Sequence, residues 1–458
     1  MRILIVFLTL LCTELSAQAI PPNRPDRPDR PDRPTNPATE RLVERQLDRA
    51  VNQLERVTER TPRAASSGLK MAEQQVKQAA LRKLEVLSET KPGETTRRFP
   101  EIELTYYQDL PAVKQEWLLI VSDSDLSEPQ PDAFGWQQYV SDKQPLPLLN
   151  SQILTLRLPQ ELDNLSSLEQ ILPPKLRGHV SRNFLFKAQS SADKREDTAE
   201  SWRFSRPLCH QSTKVGLVDS AVMTSHSAFS QASTIMQRNF IDSRFGADQH
   251  HATAIASILV GQSEQHAALL PNAPLYISNV FFYASNLQTQ STLLSLITGL
   301  NWLAEEQVKV INMSLSGPDN SVLQQAVQAL HQAGFILVAA VGNDGPAAPA
   351  RYPAAYPEVI AVTAIDKQRN LYRWAVTGEH IDFAAPGVDL FAADADGSWQ
   401  NVSGTSYAAP IVAAYIACLP EVAELNLLEV KAKLKQRAVR LAPEQSESKS
   451  YRLLIPES

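Results

Sequence analysis

Five short, nearly continuous apolar runs, separated by helix-length segments, limit what the second half of this 458-residue chain can become. The runs are residues 214–218 (KVGLV), 275–280 (LYISNV), 308–313 (VKVINM), 335–340 (FILVAA) and 359–364 (VIAVTA). A strand with one wet face alternates polar and apolar residues, so a strand without alternation has both faces covered. Residues 289–306 and 321–333 carry helical spacing and supply crossovers between the runs. The expectation is an α/β domain over residues 208–445, a three-layer, doubly wound, mostly parallel sheet. In such a sheet, functional groups collect at the carboxyl ends of the strands.

Candidate chemistry stands at those ends. Asp219 follows the first run directly, in Val218-Asp219-Ser220-Ala221. Asn343 follows FILVAA in Val341-Gly342-Asn343-Asp344-Gly345, where it serves equally as an amide donor or as ordinary turn chemistry. His251, with His250 beside it, opens HATAIASILVG, a small and apolar run that reads as a buried helix. Ser406 lies in GTSYAAP ahead of the apolar run 408–419, with Pro410 expected in the first helical turn. A serine so placed points its own N–H outward beside the positive end of the helix dipole. That suits a nucleophile and its oxyanion, and it also suits a plain helix cap.

The first half is different in kind. Residues 1–19 combine Arg2, the apolar stretch 3–11 and Ala17-Gln18-Ala19, the pattern of a secretory signal peptide; the apolar stretch is shorter than the about 20 residues a membrane span needs, so no span is expected. Residues 20–38 repeat Arg-Pro-Asp and read as an extended spacer. In residues 39–92, Val43, Leu47, Ala50, Leu54 and Val57 recur at helical steps, an amphipathic segment open to packing as a hairpin or against an unknown partner. Residues 100–189 hold strand patterns at 116–121, 152–158 and 179–187 with a helical pattern at 161–172, a small α+β unit of ferredoxin-like type. Residues 190–207 begin with a polar linker, and residues 446–458 form a polar tail. With a formal net charge of -6 and no basic patch, a nucleic-acid partner is not expected. Beyond the signal, only Cys209 and Cys418 remain, which in an oxidising compartment form one disulfide or stay as two buried thiols.

Taken in chain order, VGLVDS, HATAIAS, VINMSLSGP, VAAVGNDG, RYPAAYPEVIAVTAID, FAAPGVDL and GTSYAAP resemble the subtilisin-like serine proteases. The resemblance covers residue 214 to about 419. It implies that Ser406 is the nucleophile, His251 the general base, Asp219 its orienting carboxylate and Asn343 the oxyanion amide. It also implies that Ser314, Leu315, Ser316, Gly317, Asp344 and Arg351 line the substrate site. Arg351 would pair with Asp344, favour an acidic or small substrate side chain, or point to solvent. Ala252, Ala254 and Ser257 replace residues usual in the histidine motif, and Ser316 replaces a glycine, narrowing the subsite beside it. The loop after Gly261 is short, so no calcium is expected there, and no other metal or cofactor is expected. The α+β unit takes the place of a prodomain, with self-cleavage between Lys187 and Pro207. The cysteines would then pair on the face opposite the active site. The implied function is an exported, periplasmic or extracellular serine endopeptidase whose partners are a peptide or protein substrate and its own prodomain. The competing readings are a highly selective processing protease and a catalytically silent scaffold of the same fold.

Overall fold

A computed structural model describes residues 102–105, 110–122, 124–125, 135–188, 201–242, 245–283, 289–440 and 452–456. The signal-like segment 1–19, the 20–38 spacer, the 39–92 helical segment and most of the 190–207 and 446–458 segments lie outside the described residues. The described residues all fall within one compact unit, Thr95–Ser458.

Its first part is antiparallel. Strands β1 (Ile102–Thr105), β2 (Leu110–Ser122), β3 (Val140–Leu146), β4 (Ser151–Arg157) and β5 (Val180–Ala188), with helix α1 (Leu165–Ile171) between the last two, pair in the order β3-β4-β2-β5, with β1 beside β2. Alternate residues of β2 go to opposite sides. Trp117, Leu119 and Val121 pack with Leu168 and Leu172 in and after α1, whereas Leu118 and Ile120 enter a cluster built largely from the second part of the chain. Two covered faces explain why 116–121 carries no polar alternation. The helix expected over 161–172 is shorter than its pattern. Residues Gln160–Leu162 form a single 3-10 turn, and Asn164 then caps α1 by accepting the Ser167 N–H at 2.9 Å. Strand β3 escaped the sequence reading because its middle, Ser141 to Lys143, is exposed and polar.

The second part continues with β6 (Val215–Asp219), β7 (Ile235–Asn239), α2 (His250–Val260), β8 (Leu275–Asn279), β9 (Phe282–Tyr283), β10 (Thr289–Thr292) and α3 (Leu293–Glu305). Then come β11 (Val310–Met313), β12 (Leu315–Ser316), α4 (Ser321–Gln332), β13 (Ile336–Ala340), β14 (Val359–Ile365), β15 (Phe383–Pro386), β16 (Leu390–Ala393) and β17 (Trp399–Val402). The chain closes with α5 (Thr405–Ala417), α6 (Leu427–Arg437), β18 (Val439–Arg440) and β19 (Arg452–Leu453). The central sheet runs β18-β19-β15-β14-β13-β11-β6-β8-β7, parallel from β19 onward. Ile336, Val338 and Ala340 of β13 face α2 and α5, while Leu337 and Ala339 face α3 and α4. This is the three-layer arrangement that unalternated strands require.

One expected crossover changes character at its start. The helix read over 289–306 begins only at Leu293, because Thr292 caps it by accepting the Ser295 N–H at 3.1 Å, and Thr289–Thr292 is strand β10. β-Branched threonines favour that extended state, and β5 supplies its partner. Cys209 and Cys418 form a disulfide with Cα atoms 5.8 Å apart, fastening the segment before β6 to the end of α5.

Candidate active site

Strand β6 ends on Asp219, and α2 begins one residue before His251. The Asp219 Oδ1 accepts the Ser220 backbone N–H at 2.7 Å and stands 2.7 Å from His251 Nδ1. Ser220 Oγ accepts the Ala252 N–H at 3.0 Å, which pins the start of α2 to the end of β6. Asp219 is fully buried and His251 is 4% exposed. Burial disfavours the charged imidazolium, but the charge and hydrogen bond of Asp219 outweigh it and raise the His251 pKa above the usual histidine value. A carboxylate at Nδ1 selects the tautomer with its proton there and leaves Nε2 as the basic nitrogen. Nε2 is buried without a hydrogen-bond partner among the described residues.

Ser406 is the second residue of α5, whose N-cap is Gly404. Its N–H belongs to the first turn, where no helical acceptor exists, and its Oγ is buried without a partner among the described residues. The Tyr407 ring lies 5.4 Å from the His251 ring, and α2 packs against α5. Pro410 is not in the first turn as the sequence suggested; it lies inside α5, where the N–H it lacks would have bonded to the carbonyl of Ser406. That carbonyl instead accepts the Ser314 hydroxyl at 2.7 Å, and Ser314 Oγ in turn accepts the Asn312 amide at 2.8 Å. The proline thus opens a helix position through which Ser314 grips the residue bearing the hydroxyl.

Asn343 sits just beyond β13. Its Oδ1 accepts the Thr405 N–H at 3.1 Å and the Thr405 hydroxyl at 3.0 Å. With the oxygen anchored to the residue before Ser406, the amide's donor nitrogen is turned away from Thr405. Next to it, an added Cβ on Gly342 would lie 3.3 Å from Arg351 Cγ, 3.3 Å from Val376 Cγ2 and 3.5 Å from Ser316 Oγ, so these side chains converge on the open face of Gly342. Arg351 Nε donates to Asp344 Oδ2 at 2.8 Å, the pairing among the alternatives read from the sequence.

The segment Ser314 to Gly317, expected to form a wall of the substrate site, has a strand along its edge. Strand β5 lies antiparallel to β12, with Ala188 opposite Leu315 and Lys187 opposite Ser316. On its other edge β10 pairs Gln290, Ser291 and Thr292 with Lys187, Phe186 and Leu185. Phe186 is fully buried, and a Cβ added to Gly317 would come within 2.3 Å of its ring. Because Ser314 is bonded to the Ser406 carbonyl and precedes β12, antiparallel pairing carries β5 toward Ser406 at its Ala188 end. Sequence reasoning missed β10 and the buried carboxylate of Asp248, which accepts hydrogen bonds from the His250 N–H and from the hydroxyls of Tyr283 and Thr289. The available signal for Asp248 was its position three residues before His251. Among the described residues, no cluster of three or more His, Cys, Asp or Glu side chains could hold a metal ion, and no helix is long and apolar enough to cross a membrane.

Comparison with known proteins matches residues 210–452 to the family model described as Subtilase family. Subtilisin DY of Bacillus licheniformis is 30% identical over 236 residues, covering 50% of this chain and 84% of that protein. Thermitase of Thermoactinomyces vulgaris is 31% identical over 206 residues, covering 44% of this chain and 72% of that protein. The minor extracellular protease Epr of Bacillus subtilis (strain 168) is 29% identical over 270 residues, covering 56% of this chain and 41% of Epr.

Proposed function

Since the chain belongs to the subtilase family and carries a serine endopeptidase domain of that family, we propose that it hydrolyses peptide bonds through Ser406, His251 and Asp219. The observation that carries this reading is the buried His251 Nδ1 to Asp219 Oδ1 contact of 2.7 Å, on a ring whose Nε2 has no hydrogen-bond partner among the described residues. Ser406 Oγ attacks the peptide carbonyl as Nε2 takes its proton. Asp219 stabilises the imidazolium. The oxyanion is held by the Asn343 amide and the Ser406 N–H; loss of one such donor costs about 100- to 1000-fold in rate. Collapse of the tetrahedral species breaks the C–N bond, and the imidazolium returns its proton to the leaving amine. Water, activated by the same nitrogen, then releases the acyl group from Ser406.

The same reading makes residues 100–189 a prodomain. In its support, β5 lies along the substrate wall in the direction an extended peptide would take toward Ser406. The processing window of 187–207 then narrows to the bonds that immediately follow Ala188. Export by way of residues 1–19 agrees with the Cys209–Cys418 disulfide, which persists in oxidising compartments. Two measurements test the function on the full chain. A fluorophosphonate probe should label Ser406, and Ser406→Ala should abolish labelling and yield unprocessed precursor. An unlabelled parent would mark a silent scaffold, and normal processing of Ser406→Ala would assign the cut to another protease.

A further inference from the structure

Asp248 is a buried carboxylate that the reaction above does not use; it is 4% exposed. Its oxygens reach in three directions. Oδ1 accepts the His250 N–H at 3.1 Å, in the first turn of α2, and the Tyr283 hydroxyl at 2.8 Å, at the end of β9. Oδ2 accepts the Thr289 hydroxyl at 3.3 Å, at the start of β10. Its backbone carbonyl accepts the Ala221 N–H at 2.9 Å, two residues beyond Asp219. β10 is also the strand that holds Leu185 to Lys187 of β5 along the wall. One residue therefore joins the strand that grips an extended peptide to the helix start carrying His251 and to the turn carrying Asp219.

We propose that Asp248 is a positioning residue that keeps the His251 imidazole in register with the peptide-binding strand β10, so that a seated peptide meets a correctly aimed base. The inference rests on the protease reading above. A buried carboxylate that accepts donors from three separate segments holds them more firmly than neutral acceptors would, because charge strengthens each bond where water is excluded. The same negative charge favours the imidazolium that forms as His251 takes the proton. The groups around that ring are Asp219 at Nδ1, Asp248, whose charge acts on it through space from the chain before α2, and the Tyr407 ring on α5; Asp394 is engaged by the neighbouring His250.

The test compares Asp248→Asn, Asp248→Ala and Thr289→Val in the full chain, reading the single-turnover rate of self-processing and the pH dependence of kcat/KM on a peptide amide. Asp248→Asn keeps the shape and an acceptor for the His250 N–H but removes the charge. It should move the acid limb of the profile to lower pH while leaving KM unchanged within about twofold. Asp248→Ala should lower kcat by about 10- to 100-fold, the scale of a small misplacement of a catalytic group. Thr289→Val should slow self-processing without moving the acid limb. A profile and kcat for Asp248→Asn that superimpose on the parent's would overturn the proposal, and the isosteric variant supplies that answer even where the alanine variant does not fold. A parent chain that no fluorophosphonate labels would remove the protease reading and this inference with it, whereas a labelled parent with an unaltered Asp248→Asn variant sinks the positioning role alone.

Discussion

The large parallel-strand sheet and the antiparallel sheet bury their strands to different ends. In the parallel sheet, β6, β11, β13 and β14 are buried end to end because helices cover both faces, and their carboxyl ends deliver Asp219 and Asn343 to one edge. In the antiparallel sheet, β2 is covered by its own helix α1 on one face and by residues of α3 and α4 on the other. The first sheet carries its cover in its own crossovers, whereas the second borrows half of its cover from a neighbour. Strand β5 shows the consequence most sharply: by sequence it belongs to the antiparallel unit, but Phe186 is buried among side chains such as Leu293, Leu296 and Leu315.

The antiparallel unit and its neighbour share a core at that ring. In the Ser406→Ala background, which should keep the chain intact, Phe186→Ala should cost about 3–5 kcal/mol of unfolding free energy, the range for emptying a buried aromatic site. Gly317→Ala should cost about 1–3 kcal/mol, since its new methyl would meet the ring at 2.3 Å. Combining the two should recover part of the loss, because the methyl then occupies space that the ring has left. Denaturant titration of the four proteins checks this. Strict additivity would mean that β5 does not depend on the wall it lies against.

A second difference concerns acid. His266 is 2% exposed and lies against Phe204 and Trp399 within the second part of the chain. Burial is the main cause that pushes its pKa down to about 4, from 6.5. The unfolded chain therefore takes up the proton first as pH falls. Stability present above pH 6.5 is lost progressively as pH drops toward 4, by up to about 3 kcal/mol. Urea unfolding between pH 7 and pH 4 should show this decline, and His266→Phe should flatten it. An unchanged slope in that variant would move the acid sensitivity elsewhere.

What could be read in the sequence follows from the range of each interaction. The parallel strands are legible because coverage on both faces leaves continuous apolar runs such as VINM and VIAVTAI. Asp219, His251, Asn343 and Ser406 are legible because each sits in a local motif that fixes its own strand end or helix start. Thr289 and Asp248 are not, because their meaning depends on contacts across 41 residues, and TQST alone reads as well as a helix start as a strand. The sequence places Pro410 in the wrong turn because the apolar pattern does not show that α5 begins at Thr405. The same misplacement hid the bond from Ser314 to the Ser406 carbonyl, since only a helix register aligned on Thr405 reveals which carbonyl Pro410 leaves without a donor.

The smallest effect on stability should carry the largest change in selectivity. Arg351 and Asp344 are partly exposed, with side chains 26% and 39% accessible, and a pair of that kind contributes about 0–1 kcal/mol to folding. Arg351→Ala should therefore leave the unfolding midpoint almost where it was. At the open face of Gly342, however, the arginine stem stands beside Ser316, another residue expected to line the substrate site. While paired, the guanidinium has its charge balanced by Asp344, so a subsite there should favour small or polar groups. Asp344→Asn removes that balance and should raise cleavage after acidic residues by about tenfold, the factor that 1.4 kcal/mol represents. Arg351→Ala should widen the subsite and abolish any preference for acid. A peptide-library cleavage profile of the three proteins separates these outcomes, and identical profiles would show that the pair only closes a surface loop.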